Sequence, residues 1–347
     1  MQKNNSSSKA KELEKYCSKY GTFTQSALWA KVKNNWQAEY ITTKDENGQI
    51  CGSMLLLIKR LPLEKVFVYA PRGPVCDMSD LTVLNDLIGQ AIRLTKKYKA
   101  FMLRIDPMIL ETDVEAIDNL KKLGFVHHSK RIGYENIQCR ENYVLDVDGK
   151  CEEEIFDSFK PKWRYNIRLA SKRGVKCGFY GKEKLDDFMF LMQQTAEHDN
   201  FQFRERTYFE RILREFGDRA KLCMSYLDGE PLSGALCIEY GGVMSYVYGC
   251  SSSKHRNCMP NHLMQWTMIR RAIQRNCHTY DFCGIPYWNI KEHPNYGVYR
   301  FKQGFNGYVV TYAGEFDYRC QPFSCRLFDI MRLKGNKVLG ILKKFIQ

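Results

Sequence analysis

The clearest candidate for chemistry in this sequence is a lysine set among aromatic residues. Tyr299-Arg300-Phe301-Lys302-Gln303-Gly304-Phe305 runs shortly before Gly314-Glu315-Phe316-Asp317. A lysine fixed in this way suits one task above others: holding positive charge against a carbonyl oxygen as it becomes an oxyanion, often the main source of rate enhancement in acyl transfer. The competing reading is a lysine capping a β-hairpin near the surface, where a charge contributes little.

A second group of residues is suited to phosphate. No acidic residue interrupts the run from Lys160 to Lys176, and Lys160, Arg164, Arg168 and Lys172 recur every fourth position, with Lys162 beside them. That spacing puts the four on one face of a helix. Asp157-Ser158 and Pro161 read as its start and Gly174 as its stop, with Trp163, Ile167 and Ala170 facing the core. The stripe fits a nucleic-acid backbone or an ordinary solvated surface.

Composition narrows the class. Lys plus Arg number 53 against 39 Asp plus Glu, a net charge of +14, and this favours an anionic partner such as nucleic acid, phosphate or a membrane surface. A length of 347 residues with 44% hydrophobic content points to a folded chain of two domains. The polar, serine-rich start has no apolar signal core, and Met54-Leu55-Leu56-Leu57-Ile58 is closed by Lys59-Arg60. A cytosolic protein is expected. The 14 cysteines lack a C-x-x-C pair and read as free thiols. The seven histidines, His127-His128, His255 and His262 among them, lack metal-ligand spacing, so no metal is expected.

The elements that must position these residues appear twice. Tyr40-Ile41-Thr42, the turn Asn47-Gly48 and Gly52 to Leu56 form a hairpin; then come the loop Pro71-Arg72-Gly73-Pro74, a helical stretch from Asp80 to Tyr98 and a strand from Ala100 to Pro107. Leu222 to Leu227, Asp228-Gly229, Gly234 to Ile238, a helical stretch from Asn261 to Arg275 and the strand Thr279 to Cys283 repeat that order. Gly52 to Ala91 spans 39 positions and Gly234 to Ala272 spans 38. The expected fold is α/β: two copies of a unit with the layout of acetyltransferase-like (GNAT) domains, each a mixed sheet flanked by helices. The loops at 71–75 and 254–260 are not glycine-rich, and their prolines remove N–H donors, which weighs against a coenzyme A pyrophosphate.

Several motifs together resemble the Fem family of peptidoglycan aminoacyltransferases. They are Gln25-Ser26-x-x-Trp29-Ala30-x-Val32-Lys33, Pro71-Arg72-Gly73-Pro74, Lys162-Trp163-Arg164-Tyr165-Asn166-Ile167-Arg168-Leu169-Ala170 and Tyr248-Gly249-x-Ser251-Ser252. Arg256-Asn257-x-Met259-Pro260-Asn261, Tyr280-Asp281-Phe282-x-Gly284 and the Lys302 segment follow in family order, covering nearly the whole chain. The resemblance implies two fused acetyltransferase-like domains, with 1–146 plus 316–347 as the first (precursor) domain and 147–315 as the second (tRNA side). The absence of a heptad run makes this the compact, arm-less form. It also implies transfer of an amino acid of the glycine, alanine or serine type. The donor would be a charged tRNA, used as co-substrate with no cofactor. The acceptor would be the stem-peptide amine of UDP-MurNAc-pentapeptide or lipid II, serving the interpeptide bridge of the cell wall.

The ester donor is already activated, so the enzyme must position a neutral amine and stabilise the oxyanion. Lys302 matches the family's catalytic lysine. By motif position Lys33, Arg204, Tyr208 and Tyr248 are the precursor-binding residues, with Arg206 an alternative to Arg204 and Tyr246 the equal of Tyr248. Arg204 and Tyr208, at i and i+4, are expected to meet on one helix face. Asp106 is placed to orient the amine or accept its proton, or else to cap its turn. Arg72 contacts phosphate or braces its loop. Lys160, Lys162, Arg164, Arg168 and Lys172 are the tRNA candidates. The basic, apolar tail from Leu333 to Ile346, with Lys334, Lys337, Lys343 and Lys344, either packs on the first domain or touches the membrane face. The competing functions are a coenzyme-A acetyltransferase, an aminoacyl-tRNA–protein transferase and a non-catalytic RNA-binding module.

Overall fold

The computed structural model describes residues 2–62, 64–199 and 201–334. The tail positions from Lys337 to Ile346 lie outside them. The chain divides into two compact units, 1–140 with 311–347, and 141–310. The boundaries expected after 146 and 315 therefore move to 140 and 310. The reason is a strand, Glu141–Asp146, which pairs antiparallel with Thr279–Gly284 in the second sheet.

The sheet of the first unit runs Gln37–Lys44, Ile50–Arg60, Val66–Ala70, Met102–Ile105, Phe316–Arg319, Val126–His127, with Val75–Cys76 pairing off the second strand. Its third and fourth strands are parallel and the neighbouring pairs antiparallel. The sheet of the second unit repeats this pattern. Ala220–Leu227, Glu230–Tyr240 and Val243–Ser251 are antiparallel neighbours, and the last is parallel to Thr279–Gly284. Glu141–Asp146 and Tyr308–Thr311 close one side and Lys176–Tyr180 the other.

In each unit a long helix joins the parallel strands. Leu81–Lys97 begins where the Asp80 carboxylate accepts from the Thr82 and Val83 N–H groups, and buries Leu84, Leu87, Ile88 and Ala91 against the sheet. Its counterpart Pro260–Gln274 starts with proline at its first position and buries Met264, Met268, Ile269 and Ala272.

The basic helix is Pro161–Lys172. Asp157 and Ser158 do not start it. They end a separate helix, Glu152–Ser158, whose own first turn is acidic. Trp163 lies on the turn after Lys302: its indole N–H donates to the Phe301 carbonyl at 3.0 Å, and a Cβ at Gly304 would fall 2.0 Å from the indole. Gly304→Ala is thus expected to destabilise the protein by about 1–3 kcal/mol through overpacking, measurable by thermal melting, while the exposed Gly297→Ala, with nothing within 4 Å of its Cβ, serves as control.

Candidate functional site

Lys302 is not a surface hairpin residue. It ends the helix Tyr296–Lys302 and is 5% exposed. Its Nζ donates to the carbonyls of Phe282 (2.6 Å), Gly284 (2.8 Å) and Cys283 (3.3 Å), and lies 6.0 Å from the Tyr246 ring centroid. Cys283 has φ of 59°, a conformation rare for a side-chain-bearing residue, so the ammonium clasps a strand end that turns its carbonyls inward. The result is a desolvated, immobilised cation, the property that makes fixed charge effective against an oxyanion.

A bulge separates the two tyrosines that are equal candidates by sequence. Leu236 pairs with Tyr248, yet Cys237 pairs with Tyr246, leaving Val247 extra. Tyr246 consequently shares the face of Cys237, Met264 and Met268, beside Lys302. Its hydroxyl lies on Gly249, where a Cβ would come within 1.7 Å, and burial raises its pKa. Tyr248 turns to the other face, 5.2 Å from Phe209 between ring centroids.

Tyr248 there joins Tyr208 and Arg204. The Tyr248 hydroxyl donates to that of Tyr208 at 3.3 Å, and the Arg204 guanidinium sits 5.0 Å from the Tyr208 ring centroid. Arg204 does not reach Tyr208 along a helix face, because the helix begins only at Arg206 and runs to Phe216. Arg206 is drawn away to Glu210 (3.1 Å) and Asp186. Burial pushes the Tyr208 phenol well above its ordinary pKa, so it is a neutral hydrogen-bonding group.

In the first unit Asp106 follows the strand Met102–Ile105 and is 1% exposed. One carboxylate oxygen accepts the Arg72 backbone N–H at 2.6 Å and the other the Tyr69 hydroxyl at 2.9 Å. Burial raises its pKa to about 7, against the opposing pull of Arg72. Arg72 is buried, with φ of 57°; its Nη2 donates to the Cys139 carbonyl at 2.6 Å, and its guanidinium stacks 4.7 Å from the Tyr312 ring centroid. The cis Gly73–Pro74 bond follows. Gln25 pins this loop, donating to Pro71 O (2.8 Å) and Leu55 O (3.3 Å). Lys33 caps the helix Ala27–Val32 with its Nζ 5.3 Å from the Trp29 ring centroid.

Lys160, Lys162, Arg168 and Lys172 are exposed on the basic helix and Arg164 is half-buried. The stripe is partly engaged: Arg164 donates to the Asp157 carbonyl at 2.8 Å, Arg168 lies 4.9 Å from the Phe156 ring centroid, and Lys160 reaches Gln303 at 3.2 Å. No sequence pattern singles out His262, which rests between Trp163 and Phe301 and meets Asn166 at 3.1 Å. Burial and then the Lys162 charge lower its pKa to about 4, so the imidazole is neutral.

The fold also assembles a buried ionic cluster from distant positions. Arg104, fully buried, pairs with Asp317 (2.7 Å), Glu315 (3.2 Å) and Asp329 (3.3 Å), while Arg131 holds Glu315 and Asp329. His128 contacts Asp317 at 2.6 Å. His128, Asp317 and Asp329 bring metal-ligand types together, but both carboxylates already face guanidinium groups that would repel a cation. Burial would raise the Asp317 carboxyl, and Arg104 overrides it, holding the group well below the carboxylate range.

A sequence model of the FemAB family matches residues 9–230 and 228–332. The lipid II:glycine glycyltransferase of Staphylococcus haemolyticus (strain JCSC1435) is 30% identical over 371 residues, spanning 86% of this chain and 88% of that protein. The crystal structure of FemX superposes with a TM-score of 0.86 at 28% identity, covering 92% of this chain and 98% of that one. A tandem GNAT protein from the clavulanic acid biosynthesis pathway matches with a TM-score of 0.53 at 12% identity over 91% of this chain and 95% of that one, a likeness of fold. Among the described residues no helix is long and apolar enough to cross a membrane.

Proposed function

The chain belongs to the FemAB family, and on that premise we propose that it is a tRNA-dependent aminoacyltransferase extending the stem peptide of a peptidoglycan precursor. Glycine is the favoured amino acid and lipid II the favoured acceptor, since the staphylococcal relative carries both in its name. UDP-MurNAc-pentapeptide is the alternative acceptor. The observation that carries the reading is the buried Lys302 ammonium on its three carbonyls.

In the proposed chemistry the acceptor amine attacks the ester carbonyl of aminoacyl-tRNA, an amide bond forms and the ester C–O bond breaks, releasing the tRNA hydroxyl. Lys302 supplies positive charge to the oxyanion. Asp106, titrating near neutrality, takes the proton that the amine loses, and that proton passes on to the departing tRNA oxygen. Arg204, Tyr208 and Tyr248 are assigned to the hydroxyl-bearing and anionic parts of the precursor, and Lys33 and Arg72 are assigned to its anionic groups. Lys160, Lys162, Arg164, Arg168 and Lys172 are assigned to the tRNA backbone. No cofactor enters this scheme, and the cytoplasm is the proposed location, where charged tRNA is made.

The test is transfer of radiolabelled glycine from a charged tRNA pool to each precursor. Label on the precursor that disappears when the donor is treated with ribonuclease supports the proposal. Intact charged tRNA, folded protein and no label on either precursor would defeat it. Within that assay Arg204→Ala is expected to raise KM for the acceptor about tenfold with little change in kcat, the sign of lost uniform binding.

A further inference from the structure

The helix Pro322–Lys334 has two dissimilar sides. Cys325 and Phe328 are buried, and Asp329, its one acidic residue, reaches Arg131 at 2.9 Å and Arg104 at 3.3 Å. On the opposite side Phe323 is 82% exposed, Ile330 50% and Leu327 45%. Positions 323, 327 and 330 fall at i, i+4 and i+7 and form one stripe. Single exposed apolar residues are ordinary; a stripe of three large ones on one helix marks a surface that is covered in use.

The charge around the stripe says by what. Arg326 is exposed beside it, Arg319 precedes the helix, and Lys65 is bonded to Gln321 (3.2 Å) and Ser324 (3.0 Å) at its start. Pairing with a second copy through this same side would set its cations against their own images. An anionic bilayer accepts both components, apolar side chains at the acyl boundary and cations at the head groups.

We propose that the exposed side of Pro322–Lys334 is a docking surface for an anionic phospholipid bilayer. The inference draws support from the lipid-linked acceptor of the functional reading, but the surface stands on its own geometry. One short apolar stripe with flanking cations gives reversible, salt-sensitive attachment, not insertion.

The experiment is co-sedimentation of the full chain with vesicles of phosphatidylcholine alone and of an equal mixture with phosphatidylglycerol. Binding should be about tenfold stronger to the mixed vesicles and should fall as salt rises. Phe323→Glu combined with Leu327→Glu should remove most of that binding with the melting temperature preserved. Absence of vesicle binding, or equal binding by the double variant, would overturn the proposal. So would a dimer in solution that the double variant splits, which would give the face to a second copy. Transfer to both precursors is measured alongside. Vesicle binding without transfer to either precursor refutes the functional reading alone, and transfer without vesicle binding refutes the surface alone.

Discussion

Lys302→Met is expected to lower kcat for aminoacyl transfer by about 10²–10³. Two losses combine in that effect. The oxyanion loses a fixed charge held in a desolvated setting, where it acts far more strongly than in water. The carbonyls of residues 282, 283 and 284 also lose the donor that gathers them, and an unsatisfied buried acceptor costs about 1–3 kcal/mol. The second loss appears in thermal melting and the first only in single-turnover rates, so the two are separable. A variant that melts early yet transfers at the wild-type rate would reduce Lys302 to a structural clasp.

Asp106→Asn is expected to cost about 10²–10⁴ in kcat/KM and to abolish a pH dependence. With a pKa of about 7, Asp106 is largely protonated at pH 6 and ionised at pH 8, so the wild-type rate should climb through neutrality and level off above it. Stability should move the opposite way. The folded pKa lies above the ordinary carboxylate value, so the fold favours the protonated form; the contribution is complete below the unfolded pKa and lost as pH rises through about 7. Activity and melting temperature should therefore diverge across the same interval, and both trends should flatten in the Asn variant. A rate limb near pH 7 that survives the substitution would assign the titration elsewhere and leave Asp106 as the anchor of Arg72 and Tyr69.

The repeat is legible in the sequence because hairpin turns and helix caps are local: Asn47-Gly48, Asp228-Gly229 and Asp80 announce themselves within a few residues. The site is legible only as motifs. The burial of Lys302 depends on carbonyls 18 to 20 positions earlier, and the Arg104 cluster joins residues up to 225 positions apart. No periodicity encodes such contacts. The choice between Arg204 and Arg206 turns on where a helix begins, which two residues of uncertainty are enough to hide. The basic stripe does lie along a helix, but Arg164 and Arg168 meet the preceding helix, an element that is masked because Asp157-Ser158 reads as a cap. Tyr246-Val247-Tyr248 reads as plain alternation with both tyrosines on one side; only the pairing partners reveal the extra residue.

That extra residue divides labour within one strand. With strict alternation the two phenols would compete for a single environment, and the cations gathered around Tyr208 would share it with Lys302. The bulge gives each tyrosine its own neighbours, Tyr246 beside Lys302 and Tyr248 beside Tyr208 and Phe209. A substitution that repacks the neighbours of Tyr248 can then leave the packing of Tyr246 beside Lys302 in place. Deleting Val247 would merge what a single insertion keeps apart.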